Sequence, residues 1–375
     1  MKGFEDGALT WAEVDLSAIR HNVESFRQLT RDAEIMAVVK ADGYGHGAVP
    51  VAKAALEAGA RRLAVARLEE GLALRKAGIR VPILILGWID PGTARELVAA
   101  DLEVAVFDPA HIPPLAAAAR ELHKRAGVHI KIDTGMGRIG WRDTDQALKW
   151  AAELNKVPEV EIRGTFTHFA AADAEDLTHA RGQWRRFDHW VKALESHGMR
   201  PPLIHAANTA AALSLPEAHY DALRVGIGLY GYLPNPGWKA PVVLRPALRW
   251  MARLVYVKWV EPGATVSYGC TYRAPARRRI GTVAVGYGDG LRRGLSNAGY
   301  MLVHGRRAPI VGRVCMDQTM IDLTNIPEAR SGDVVTVLGR DGEESWTADD
   351  HARLLDTISY EILCGIGKRV PRRYV

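Results

Sequence analysis

Short apolar, β-branched runs recur through the first two-thirds of the chain, separated by alanine-rich stretches of helical texture. The runs that predict strands are IMAVVK (35–40), RLAVAR (62–67), PILILG (82–87), LEVAVF (102–107), VHIKID (128–133), IRGTFTHF (162–169), PLIHA (202–206) and LRVGIGLY (223–230). Each of the first seven precedes a segment of helix character, such as EEGLALRKAG or QWRRFDHWVKALESHG. Strands that are apolar without alternation are covered on both faces, the pattern of parallel strands linked by helices. Eight such units predict an α/β fold, a (β/α)8 TIM-type barrel. An open doubly wound sheet is the other arrangement the same units allow.

Beyond about residue 240 the texture changes. PVVLRPALRW, MARLVYVKWV, TVSYGCTY, RRIGTVAVGYGDG, MLVHGRRAPIVGRV, QTMIDL and DVVTVLG are short runs with Gly, Pro or Asp turns and no helices between them. They predict a mostly antiparallel β domain, followed by a short helical tail, TADDHARLLDTISYEILCGIG. The expected division is a barrel over 12–240 and a β domain over 241–375 joined by residues 1–11.

Composition narrows the class. The 375 residues are 48% hydrophobic and 25% charged, which is ordinary globular usage and excludes a disordered or fibrous chain. Net charge is +6, with basic residues scattered except around Arg277–Arg279 and the tail, so no nucleic-acid footprint is predicted. Cys270, Cys315 and Cys364 are odd in number and widely spaced, which argues for a reducing compartment. The start, MKGFEDGALTW, lacks the apolar core of a signal peptide, and no run reaches transmembrane length. A soluble, cytoplasmic protein with no membrane partner is expected.

The stretch IMAVVKADGYGHGA ends an apolar strand on a single lysine. A lysine there is costly unless it is paired, exposed or chemically used. Barrels of this kind gather function at the carboxyl ends of their strands. Other polar residues fall at the same rim: Arg138 in DTGMGRIG, His168 in GTFTHFA, His205, Asn208 and Thr209 in IHAANTAA, and Arg224, Gly226 and Ile227 in RVGIGLYG. GMGRIG matches a dinucleotide-binding fingerprint, but on the fifth unit a tight strand-to-helix turn is the better reading. The glycines of the eighth unit stand where barrels bind phosphate with backbone N–H groups. With no H-E-x-x-H, C-x-x-C or P-loop, no metal is predicted. A rim lysine beside a phosphate cradle fits Schiff-base chemistry with pyridoxal 5'-phosphate.

With these residues in place, the chain resembles alanine racemase over nearly its whole length. AVVKADGYGHGA, KIDTGMGRIG, THFAAAD, RVGIGLYG, VSYGCTY, VGRVCMDQTMIDL and YEILCGIGKRVPRRYV stand in the family's order and spacing. The resemblance implies interconversion of L- and D-alanine, supplying D-alanine for peptidoglycan, by a homodimer with shared active sites. It implies that Lys40 holds the cofactor as an aldimine and that Lys40 and Tyr268, the latter from the neighbouring subunit, are the two bases. Tyr44, Asn208, Thr209, Gly226, Ile227 and Tyr360 would bind phosphate. Arg224 would bond the pyridine nitrogen with His205 behind it, and His168 would lie near the ring. Arg138 would hold the substrate carboxylate, steadied by Lys131, which is carbamylated in many members. Met316 and Asp317 would complete the pocket, and Asp173, Arg292, Arg313 and Ile358 its access channel.

The chemistry agrees with that implication. Racemisation takes a proton from one face of Cα and returns it on the other, which two bases on opposite sides accomplish. An arginine does not readily give a full proton to the pyridine, since its own pKa exceeds ~12. Related decarboxylases place an acid there instead. The chain departs from the family where LRRGLSN follows GYGDG, which bears on Arg292, and where Thr209 replaces a common serine. Two rival readings use the same residues: a cofactor-binding regulator, against which the second domain with Tyr268 argues, and a racemase or decarboxylase of another amino acid.

Overall fold

The computed structural model describes residues 7–30 and 32–375. The chain forms two compact units: Ala18–Gly43 with Ala48–Arg245, and the chain through Ser17 with Tyr44–Gly47 and Pro246–Val375. The expected placement of residues 1–6 in the second unit lies outside the described residues.

In the first unit all eight expected barrel strands form: Glu34–Val38, Arg62–Val65, Ile83–Ile85, Glu103–Val106, Ala126–Lys131, Val160–Phe166, Leu203–His205 and Ala222–Val225. They are called barrel strands one to eight below. Each ends before its apolar run does, because the chain leaves the ladder there to build the turns of the mouth. The strands pair in parallel, in the spatial order seven-six-five-four-three-two-one-eight. Backbone bonds from Asp221 N to Ile204 O and from Arg224 N to Ala207 O, each 2.9 Å, bridge strands seven and eight. The sheet is a nearly closed barrel. Much of its wall is apolar; Ile83, Leu84, Ile85, Val106 and Ile204 are 0–1% exposed. Each such side chain contributes about 1.5–3 kcal/mol of burial.

The eighth apolar run is shorter as a strand than the sequence predicts. It ends at Val225, and Ile227–Tyr230 is a 3-10 turn. Gly226 N–H leaves the ladder for Thr209 Oγ1 at 3.0 Å.

The second unit is a mostly antiparallel sheet around one long strand, Leu248–Val260. PVVLRPALRW contributes only from Leu248 onward; Pro241 and Pro246 lack the N–H a ladder needs. The long strand pairs antiparallel with Thr10–Val14, Val334–Asp341 and Arg278–Val283. The closing strand Arg372–Tyr374 lies parallel to Thr10–Val14, so both ends of the chain share one sheet. Trp11, fully buried, holds them together: the guanidinium groups of Arg253 and Arg373 lie 5.1 and 4.6 Å from its ring. No helix among the described residues is long and apolar enough to cross a membrane.

One buried ring sets an acid limit on this unit. His351 packs 4.7 Å from Trp346, which lies 4.0 Å from Tyr300. Burial pulls its pKa down to about 4, against smaller opposing effects from Val337 and Asp350. Stability is therefore full above pH ~6.5 and falls as pH drops through 6.5 toward 4, by roughly 3 kcal/mol. Unfolding midpoints measured from pH 7 to 4 should show this loss, and His351→Phe should flatten it. An equal slope in that variant would refute the assignment.

Candidate active site

The turn that carries Lys40 is left-handed. Ala41, Asp42, Gly43 and Tyr44 all have φ between 52° and 61°. For residues bearing a Cβ this costs about 1–2 kcal/mol each, and such strain persists only where surroundings impose it. Gly43 N–H donates to Val39 O at 2.9 Å. Asp42 Oδ1 accepts from Ala48 N at 2.8 Å. Glu70, on a neighbouring helix, accepts from Ala41 N at 2.6 Å through one oxygen and from Ala66 N and Arg67 N through the other. The backbone that follows Lys40 is thus held by a carboxylate that sequence reading did not single out.

Arg224 is the hub of the barrel mouth. It is the third residue of barrel strand eight. Its Nη1 donates to His205 Nδ1 and His205 O, both at 2.9 Å. Its Nη2 donates to Thr167 O at 2.7 Å and Ala206 O at 2.8 Å, and lies 3.3 Å from His168 Nδ1. Among the described residues, Nε–H is the guanidinium donor left without a protein acceptor. Burial lowers the Arg224 pKa to about 9, so the group remains charged at neutral pH. Its Cζ lies 5.3 Å from the centre of the Phe166 ring, on which His205 stacks at 4.8 Å.

His168, half-buried at the end of barrel strand six, is held neutral. Burial first, then the charges of Arg224, Lys131, Arg138 and Lys40, push its pKa well down. The backbone there is fixed by Gln183, fully buried, which donates to His168 O at 3.0 Å and accepts from Ala170 N at 2.8 Å. Lys131 is buried against Phe166, its Nζ donating to Ile132 O at 2.7 Å. Burial and then Arg224 bring its pKa down to about 7, with Asp133 opposing. A substantial share of Lys131 is therefore a free amine at neutral pH, the form that reacts with carbon dioxide.

GMGRIG is a loop and not a helix start; the next helix begins at Thr144. Asp133 closes the loop, accepting from Gly135 N and Gly137 N at 3.0 Å and from Arg142 Nε at 3.0 Å. That arrangement carries Arg138 and offers no cradle of the dinucleotide type. After barrel strand seven, Asn208 Oδ1 caps the short helix Thr209–Ser214 by accepting from Ala211 N at 3.0 Å. Thr209 Oγ1 accepts from Gly226 N at 3.0 Å and Gly228 N at 3.4 Å, which leaves its hydroxyl hydrogen to donate outward. Gly226 N–H, one of the groups the resemblance assigns to phosphate, donates to Thr209 in this structure.

In the second unit Tyr44 and Tyr360 stand together, ring centroids 6.0 Å apart. Burial, then Tyr360 and Cys364, raise the Tyr44 pKa, so its phenol stays a donor. Tyr268 is 73% exposed, on a turn with φ of +69° at Ser267 and +50° at Cys270. Ser267 Oγ donates to Arg313 O at 2.7 Å and fixes that turn. Met316 is exposed, and Asp317 is ion-paired to Arg369 at 2.6 Å, a contact the sequence did not suggest.

Three basic side chains, Lys131, Arg138 and Arg224, therefore share the barrel mouth with the amine of Lys40, and His168 is neutral among them. These features give a barrel whose mouth is suited to an anionic ligand. Two sequence profiles match the chain: "Alanine racemase, N-terminal domain" over residues 14–234 and "Alanine racemase, C-terminal domain" over 247–374. An alanine racemase of Symbiobacterium thermophilum is 48% identical over 365 residues, covering 97% of each chain. The structure of an alanine racemase from E. faecalis superposes with a TM-score of 0.93 at 39% identity, covering 99% of both chains. A histidine racemase from Leuconostoc mesenteroides subsp. sake shares the fold at TM-score 0.91 and 31% identity, again over 99% of both chains. The chain belongs to the alanine racemase family.

Proposed function

We propose that this protein interconverts L- and D-alanine with pyridoxal 5'-phosphate, as a homodimer, and supplies D-alanine for peptidoglycan in the cytoplasm. The observation that carries the reading is the barrel mouth: Lys40, Lys131, Arg138 and Arg224 act together on His168. Such a field favours a phosphate, a phenolate and a substrate carboxylate at once. The residues fit the cofactor. Lys40 would hold it covalently, the Arg224 Nε–H would donate to the pyridine nitrogen, and the Thr209 hydroxyl would donate to phosphate together with Ile227 N–H, Tyr44 and Tyr360. When bound, pyridoxal phosphate supplies the electron sink that acidifies the substrate Cα.

The chain's own residues do the rest. Lys40 takes or returns the Cα proton on one face, and Tyr268 of a second copy serves the other. Arg138 orients the carboxylate, steadied by Lys131, whose free-amine share suits it to carbamylation. Met316 and Asp317 of the second copy close the pocket. Arg224 donates a hydrogen bond without surrendering its proton, which restrains electron flow into the ring and favours racemisation over decarboxylation. Tyr268, Tyr360 and Met316 closing the pocket would leave room for little more than a methyl group.

Incubation with L-alanine, L-serine, L-lysine and L-histidine, followed by chiral chromatography, tests the reading. D-alanine should form fastest, with D-serine roughly 10–200-fold slower. Faster production of D-histidine or D-lysine, or no D-alanine, would reject it.

A further inference from the structure

A line of four buried side chains climbs the inside of the barrel and ends on Arg224. Glu103 opens barrel strand four, His129 lies within strand five, His205 closes strand seven and Arg224 lies within strand eight. All four are 0–6% exposed. His129 Nε2 is 3.0 Å from Glu103 Oε2, His129 Nδ1 is 2.9 Å from His205 Nε2, and His205 Nδ1 is 2.9 Å from Arg224 Nη1. At the lower end Arg62 Nη1 lies 3.7 Å from Glu103 and Arg62 Nε bonds Glu34 at 3.0 Å. The line thus runs from an ion-paired rim at the bottom of the barrel to the mouth at the top.

The wall is cut to fit it. A Cβ on Gly164 would sit 2.4 Å from His129 Nδ1, although Gly164 has an ordinary strand backbone that any residue could adopt. A Cβ on Gly127 would crowd Glu103 Cγ at 3.3 Å. Phe166, parallel to His205 within 6°, keeps that ring from turning. The glycines and the stacked ring are separate features that serve one geometry.

Donor and acceptor logic then allows one arrangement. A carboxylate only accepts, so His129 carries its hydrogen on Nε2 and presents Nδ1 as an acceptor. His205 must donate from Nε2 and accept at Nδ1. Nδ1 is then a lone pair facing the Arg224 guanidinium, which only donates. A reversed His129 would place an N–H of His205 against an N–H of Arg224.

We propose that Glu103 and His129 are positioning residues of the active site: through His205 they hold the Arg224 guanidinium in place, with its Nε–H presented to the pyridine nitrogen of the cofactor. The inference rests on the reading above that Arg224 faces that nitrogen. Charge is consistent with it. Burial alone would raise the Glu103 pKa, but the bond from His129 and the nearby Arg62 and Arg163 hold it low, so the line ends on a true anion. His205 is kept neutral by burial and by Arg224.

Nitrogen-15 NMR of the histidine rings in the holoenzyme tests the proposal, beside the isosteric variant Glu103→Gln. In the wild type both His129 and His205 should be Nε2–H tautomers, a result that needs no variant. A glutamine amide can also donate, so in Glu103→Gln a share of His205 should move to Nδ1–H. The cofactor absorption should shift and kcat fall roughly ten- to a hundredfold with KM nearly unchanged, as for other outer partners of a site ligand. Wild-type His205 protonated on Nδ1 overturns the proposal, and so do ring-nitrogen resonances of His129 and His205 that are unchanged by the substitution. Tautomers that respond while cofactor absorption and kcat stay fixed overturn this inference alone. A wild-type protein that binds no pyridoxal phosphate overturns the reading beneath it as well.

Discussion

Lys40→Ala is expected to abolish covalent cofactor attachment and to slow racemisation by at least roughly 10⁴-fold, about 5 kcal/mol of barrier. The size follows from the lysine doing two jobs at one nitrogen. It anchors the cofactor, and it is the base on one face of Cα. No neighbour substitutes: Lys131 is buried and bonded to the Ile132 carbonyl, and the Arg224 guanidinium is locked by four acceptors. The fold should survive, because the turn around position 40 is held by backbone N–H bonds to Val39 and Glu70. Borohydride treatment and mass spectrometry check the claim. Wild-type protein should carry one reduced cofactor on Lys40, and the variant none; label on another lysine, or retained activity, would remove the basis of the proposed function.

The second large effect is expected from Tyr268→Phe. Losing one of two bases should lower the rate by roughly 10²–10⁴-fold and unequally in the two directions of isotope exchange. For one enantiomer, exchange of the Cα hydrogen with solvent should continue at Lys40 while inversion stops. The phenol is 73% exposed, so its removal leaves no cavity and little effect on stability is expected. Mixing the two inactive variants gives a sharper check. If each site takes its lysine from one copy and its phenol from another, random reassembly restores about a quarter of the sites. No recovery on mixing, with dimers confirmed, would rule out the shared site.

The barrel was legible because each of its strands is a compact apolar run bounded by polar helices, a local signal. What escaped notice depends on distant pairing. Thr10–Val14 and Arg372–Tyr374 are short and acquire strand character only from each other and from Leu248–Val260, far away in the chain. The rim residues could be placed because lysine, histidine and arginine at the ends of apolar runs are conspicuous. Glu70, Gln183 and the Asp317–Arg369 pair were not, since on a helix face or in a loop such residues look like solvated surface. Glu103 and His129 had a signal that went unused: a carboxylate and an imidazole inside runs read as fully buried, with a glycine at 164 in the adjoining strand.

The left-handed turn after Lys40 has a consequence for how this enzyme can be damaged. Its conformation is imposed by acceptors outside the turn, above all the Glu70 carboxylate that gathers three backbone N–H groups. The backbone path that carries the reactive lysine is thus stored partly on a different helix. A lesion there would leave every chemical group in place and still misdirect the attack, so an inventory of reacting residues would pronounce the crippled enzyme intact.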